Sequence, residues 1–179
     1  MTVITVFSLP SRYQDHMEST INHSCVDCAL RPDRLFCDLP PGVLQAFDGI
    51  KSLAAVARGT VLFREGQPAR SVCVLCEGRV RLSVSSESGK HLTLRIAVPG
   101  EALGLSAALC DRAHEVTAEA LDELQVAVVR RRDLLRFLHE HPEACLQVVN
   151  LLSQDLHVAY DRVRSVGLGR TRRARDVTA

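Results

Sequence analysis

A chain of 179 residues is long enough for one domain with a hydrophobic core and a helical appendage. Hydrophobic residues make up 46%, which argues against wholesale disorder, and aromatics only 4% with no Trp, which argues against a base-stacking platform. The formal net charge of +1 gives no overall attraction to nucleic acid or anionic lipid, so any basic patch is local.

Residues 1–38 read as an N-terminal arm. Its apolar run, Val3 to Leu9, has no basic residue before it, unlike a signal peptide, and no apolar stretch of the chain is long enough to span a bilayer. These features predict a cytoplasmic protein with no membrane association. Its seven cysteines are then expected as thiols, metal ligands or redox sensors, not as structural disulfides. Three of them, Cys25, Cys28 and Cys37, lie in this arm. A C-x2-C pair lets two thiolates share one metal, so the set admits an iron–sulfur cluster or zinc if a fourth ligand completes it. Unliganded thiols are the other reading.

Residues 39–141 read as a β-domain with short flanking helices. Pro40-Pro41-Gly42 opens the first helix, with Val43, Leu44, Phe47 and Ile50 at helical spacing. From Gly59 onward, glycines recur at Gly66, Gly78, Gly89 and Gly100, seven to twelve residues apart. Between them lie short runs rich in Val, Leu and Ile: Thr60–Phe63, Val72–Cys76, Val80–Val84 and Leu92–Val98. Two further strands fit Glu115–Ala120 and Leu124–Val129. Evenly spaced short strands predict an antiparallel barrel or sandwich. Glu65-Gly66, Glu77-Gly78 and Ser88-Gly89 read as hairpin turns, because Gly adopts positive φ without steric cost. Cys73 and Cys76, three apart on one strand, face opposite sides and read as core residues.

Beyond the strands the chain is helical. Arg132 to His139 predicts a short helix, and Pro142 suits the first position of a longer one. Cys145, Val149, Leu152, Leu156, Ala159, Val163 and Val166 then alternate in steps of four and three. That heptad seam predicts a homodimer through residues 142–167. An amphipathic helix lying on the barrel is the alternative, and the two can coexist. Gly167 and Gly169 are expected to end the helix. Residues 168–179 form a basic tail in which Arg170, Arg172, Arg173 and Arg175 either contact phosphate or are simply solvated.

Catalysis finds little support. His139-Glu140-His141, followed by Pro142, reads as a helix end and loop, while His91 and His114 have no partner at metal-ligand spacing. There is no Gly-x-Ser-x-Gly elbow, phosphate loop or His-Glu-x-x-His, so the chain reads as a non-enzyme.

Three blocks taken together are more specific. They are Arg58-Gly59-Thr60-Val61-Leu62-Phe63-Arg64-Glu65-Gly66, Val74-Leu75-Cys76-Glu77-Gly78-Arg79-Val80-Arg81-Leu82 and Pro99-Gly100-Glu101-Ala102-Leu103-Gly104-Leu105. With them, Leu39 to Gly167 resembles the Crp/Fnr family of bacterial transcription regulators. The resemblance implies a mainly β fold: an antiparallel double-stranded β-helix, the jelly roll of cyclic-nucleotide-binding domains, followed by a long dimerisation helix. It also implies a winged helix-turn-helix that binds operator DNA. Ten residues follow Gly169, too few for that part, so DNA would be bound only through a C-terminal domain missing here. The resemblance implies the sensory and dimerisation region of a regulator; a stand-alone module without DNA binding is the alternative.

The family's cyclic-nucleotide members grip phosphate with a Gly-Glu-Leu-Gly-like turn and a following Arg-Ser or Arg-Thr pair. Here Gly104-Leu105-Ser106-Ala107 occupies the turn, so the ribose-binding Glu reads as Leu105. The Arg-Ser position falls near His114-Glu115-Val116, where Glu115 repels a phosphate. Arg112 or Arg95 would have to substitute. Gly104, Leu105, Ser106, Arg95 and Arg112 are therefore the candidate ligand residues, and cyclic AMP is not the expected ligand. Oxygen-sensing members carry three iron–sulfur ligands ahead of the barrel, a role that would fall to Cys25, Cys28 and Cys37, with eight residues between the last two. The fourth ligand's position reads as Ala127, leaving Cys110 as the substitute. The implied signal is a small molecule or a redox change.

Overall fold

The computed structural model describes Cys25, Phe36, residues 38–86 and residues 89–175, with backbone alone for 162 and 166–175. Helix α1 (Pro41–Asp48) is followed by β1 (Lys51–Val56), β2 (Val61–Phe63), β3 (Ser71–Glu77), β4 (Val80–Ser85), β5 (His91–Ala97) and β6 (Ala102–Leu103). After α2 (Leu105–Cys110) come β7 (Thr117–Ala120), β8 (Leu124–Arg130), α3 (Arg131–Glu140) and α4 (Pro142–Arg175).

The strands form two four-stranded antiparallel sheets, ordered β1-β8-β3-β6 and β2-β7-β4-β5. Consecutive strands mostly alternate between the sheets, which is the predicted jelly roll. The helices cover the outer face of the first sheet, making three layers.

β3 and β8 show why their sequences are nearly continuous apolar runs. Cys73 and Leu75 of β3, with Leu124 and Val126 of β8, fill the core between the sheets. Val72, Val74, Ala127 and Val129 point the other way, against Phe36, Phe47, Leu134 and Phe137 beneath the helices. Both faces of these strands are buried, so alternation of polar and apolar residues disappears. Cys73 packs in the first core and Cys76 against the second, as their spacing predicts. Phe36 stacks on Phe47 at 4.8 Å between centroids, pinning residues ahead of α1 to the helix-covered core.

Three expectations are corrected. Only Ser88-Gly89 lies between paired neighbours, β4 and β5, and Ser88 itself is outside the described residues. Glu65-Gly66 and Glu77-Gly78 are corners that carry the chain from one sheet to the other, since β2 and β4 both belong to the sheet without β3. Positive φ at Gly66 and Gly78 serves a corner as well as a hairpin. At Gly78 a Cβ would also stand 2.6 Å from the Glu123 carbonyl oxygen, so two chain segments meet there because the residue is glycine.

The second correction concerns Gly104-Leu105-Ser106-Ala107, which is more than a turn: Leu105–Cys110 winds into α2. The third concerns the end of α4. The helical backbone continues through Gly167 and Gly169 to Arg175 instead of ending there. Glycine within a helix costs only about 1 kcal/mol against Ala, which a helix already propagating can absorb.

α4 uses two faces. Ala144 and Val148 are buried in the helix-side core, and Leu151 and Leu152 are half-buried against it. Cys145, Val149, Leu156, Ala159 and Val163 are exposed. Of the predicted seam, Leu152 is therefore shared with the barrel, and the Val166 side chain lies outside the described residues.

Candidate functional site

The sharp reversal after β6 requires a left-handed residue, and Gly104 supplies it at φ +76°. Its missing side chain also makes room for His114, whose Cε1 would lie 2.7 Å from a Cβ on Gly104. His114 is held by its backbone: its N–H donates to the Gln67 carbonyl at 2.8 Å, and its own carbonyl accepts from Gly66 N–H at 2.9 Å. The ring is 6% exposed and stacks on Phe63 with centroids 3.8 Å apart. Its Nδ1 has no hydrogen-bond partner. Burial pushes the imidazole below its usual value and Glu115 pulls it partly back, so the ring is neutral near pH 7.

Around this pair lies a cavity of about 110 Å³. Phe63, Leu82 and Leu103 give it apolar walls; Arg95, Ser106 and Glu115 give it polar ones. Leu151, Leu152 and Asp155 of α4 close one side. The long helix is thus a wall of the cavity.

The electrostatics differ from an anion site. Arg95 is ion-paired with Glu101, which also accepts the Val98 N–H at 2.9 Å. Ser106 Oγ donates to Glu115 Oε1 at 3.2 Å. α2 is one and a half turns long, too short to present a strong dipole. The free-standing guanidinium fork that a buried phosphate needs is missing from the cavity's walls.

Four of the five sequence-derived ligand residues, Gly104, Leu105, Ser106 and Arg95, do line this cavity. Leu105 does so while 3% exposed and packed into the helix-side core. Arg112 does not line it: its side chain is exposed, and its backbone N–H caps the end of α2 on the Ala107 carbonyl at 2.9 Å. Phe63 and the three α4 residues were not legible as wall residues. The only hint was the apolar character of Leu151 beside the seam residue Leu152.

The described cysteines are dispersed. Cys110 is exposed at the last position of α2, and Ala127, where the fourth cluster ligand would fall, is 2% exposed in the core. Cys28 and Cys37 lie outside the described residues. Cys25 sits beside the end of α1, its N–H donating to both Asp48 carboxylate oxygens at 3.1 and 3.0 Å. Lys51 Nζ bonds to Asp48 at 2.6 Å and donates to Cys25 Sγ at 2.9 Å. Burial nevertheless pushes the Cys25 thiol up to about 12, and the Lys51 charge only partly offsets it. Among the described residues, no three His, Cys, Asp or Glu side chains are grouped to hold a metal. Of the four cysteines proposed as cluster ligands, Cys25 and Cys110 are among the described residues, one ahead of α1 and the other at the end of α2.

The fold has clear counterparts. Residues 54–141 match the family model described as the cyclic nucleotide-binding domain. The chain carries a cyclic nucleotide-binding domain of the Crp/Fnr type. It is 26% identical over 145 residues to the nitrogen fixation regulation protein FixK of Bradyrhizobium diazoefficiens, covering 81% of this chain and 60% of that regulator's length. Among solved structures, the N-terminal domain of a transcriptional regulator from Streptomyces coelicolor is 27% identical, with a TM-score of 0.61. That match covers 76% of this chain and 94% of the other. Thermus thermophilus Catabolite Activator Protein shares the fold at 22% identity and a TM-score of 0.68, covering 74% and 62% respectively. By name these are a nitrogen fixation regulation protein, a transcriptional regulator and a catabolite activator. No helix among the described residues of this Crp/Fnr-type chain is long and apolar enough to cross a membrane.

Proposed function

We propose that this chain is the sensory and dimerisation region of a Crp/Fnr-type transcription regulator, in which a small molecule in the barrel cavity alters how two copies pair along α4. In the whole regulator that pairing sets the placement of the DNA-reading domains. One observation carries the reading: Leu151, Leu152 and Asp155 wall the same cavity as Gly104 and Ser106, while the adjoining helix face at Val149, Leu156 and Val163 stands exposed. A ligand that fills the cavity therefore bears directly on the pairing helix, and a two-state shift in the helix is the conduit.

The altered phosphate grip supports a signal other than cyclic AMP. Redox sensing through an iron–sulfur cluster at Cys25, Cys28, Cys37 and Cys110 rests on sequence spacing alone. Anaerobic reconstitution followed by iron and sulfide analysis distinguishes the two signals.

Pairing is tested by cross-linking. Cys145 is exposed on the seam face, so two parallel copies bring Cys145 against its equivalent. Mild oxidation at micromolar protein is expected to give a disulfide-linked dimer that Cys145→Ser abolishes. A monomer under those conditions and in sedimentation equilibrium would overturn the reading and favour a stand-alone module.

A further inference from the structure

We propose that the cavity between the β-sandwich and α4 receives a small organic cation, an alkylammonium with a short apolar tail, and rejects anions. This rests on the reading of the cavity as the signal-receiving site and deepens it by naming the ligand's charge and size.

The charge argument begins with what is already neutralised. Arg95, the cation among the wall residues, is paired with Glu101. Glu115 and Asp155 reach the same cavity from two separate elements, and neither forms an ion pair among the described residues. Of the uncharged polar wall groups, Ser106 donates to Glu115, and His114 is 6% exposed and unpartnered at Nδ1. Two carboxylates therefore dominate the field at the mouth. A phosphate or carboxylate ligand meets repulsion there, and an ammonium meets attraction.

The size argument is independent. The cavity measures about 110 Å³, whereas ordinary small-molecule pockets run to roughly 300–1,000 Å³. An apolar cavity of about 150 Å³ suffices for benzene. Space of this order suits about five non-hydrogen atoms, the size of n-butylammonium. Phe63, Leu82 and Leu103 would take the butyl chain, while Glu115 and Asp155 hold the ammonium end near the surface. The orphaned His114 nitrogen lies in the same wall, a polar atom left without the partner that buried groups normally have.

The test is a backbone-amide NMR titration of the whole chain with three probes of matched length: n-butylammonium chloride, 1-butanol and sodium butyrate, at constant ionic strength. The expected result is saturable shifts at Gly104, His114 and Leu152 with butylammonium. Its dissociation constant should be lower than that of butyrate by about fivefold or more, the scale of a solvent-exposed ion pair. Glu115→Gln with Asp155→Asn should erase the preference for butylammonium over butyrate. If the three probes bind equally, or the double variant keeps the preference, the cation assignment is wrong while the cavity remains a ligand site. If no probe shifts those residues, the site reading and the cation assignment both fall.

Discussion

His114 lies flat on Phe63, with ring centroids 3.8 Å apart and planes inclined by 13°. The pair joins the loop before β7 to β2, and it fits only because Gly104 presents no side chain to the imidazole. Gly104→Ala should cost about 1–2 kcal/mol for the left-handed backbone. Overpacking against a ring that cannot easily move adds about 1–3 kcal/mol. Gly66→Ala is the control, since it shares positive φ but meets nothing within 4 Å. Denaturant unfolding of the two variants should separate them, with Gly104→Ala the less stable.

The glycine pattern shows how much of this was legible in the sequence. Spacing found six of the eight described strands, and the family resemblance picked out Gly104 and Ser106, which line the cavity. Spacing missed β1, where Leu53, Ala54 and Ala55 show no clean alternation because the strand is partly exposed on both faces. It missed β6, two residues long. Sheet partnership was also invisible: a glycine meets the same local demand at a corner as at a hairpin, so Gly66 and Gly78 could not say which sheet came next. Asp155 was unreadable for a different reason. Nothing local marks a solvent-facing helical carboxylate as a cavity wall; only packing of α4 through Ala144 and Val148 brings it there.

His114 also predicts a pH dependence. Burial depresses its pKa below the unfolded value, so the unfolded chain takes up the proton first as pH falls. Below about 6.5, the usual histidine value, stability then declines with falling pH until the folded-state pKa is passed. Above about 6.5 the stability no longer depends on this group. His114→Phe should flatten this segment of the stability profile, measured as urea midpoint from pH 7.5 to 5, relative to the parent chain. An NMR titration should place the ring's own midpoint below the usual histidine value of about 6.5.

The exposed stripe on α4 predicts the oligomer's weak point. Leu156 and Val163 are 51% and 70% exposed, so neither is needed for the barrel core. Leu156→Asp should give monomers by sedimentation with little loss of thermal stability in the barrel, because the new charge is unfavourable only when a second helix covers it. Leu152→Asp should also weaken pairing but destabilise the monomer as well, since Leu152 packs on the barrel and walls the cavity.

The cysteines should separate by reactivity, and the order follows from burial. Thiolate is the reacting form in alkylation, so a thiol that resists ionisation reacts slowly. Cys73 is buried between the sheets and is pushed up to about 12 by desolvation alone. Cys25 reaches about 12 as well, although Lys51 donates to its sulfur, because burial outweighs that contact. Cys110 and Cys145 are exposed. Timed iodoacetamide labelling of the native chain, read by peptide mass spectrometry, should modify Cys110 and Cys145 first and leave Cys25 and Cys73 largely unmodified. Lys51→Met tests the balance at Cys25: it removes the charge that favours thiolate, so labelling there should slow further, whereas faster labelling would mean that Lys51 shields the sulfur more than it activates it.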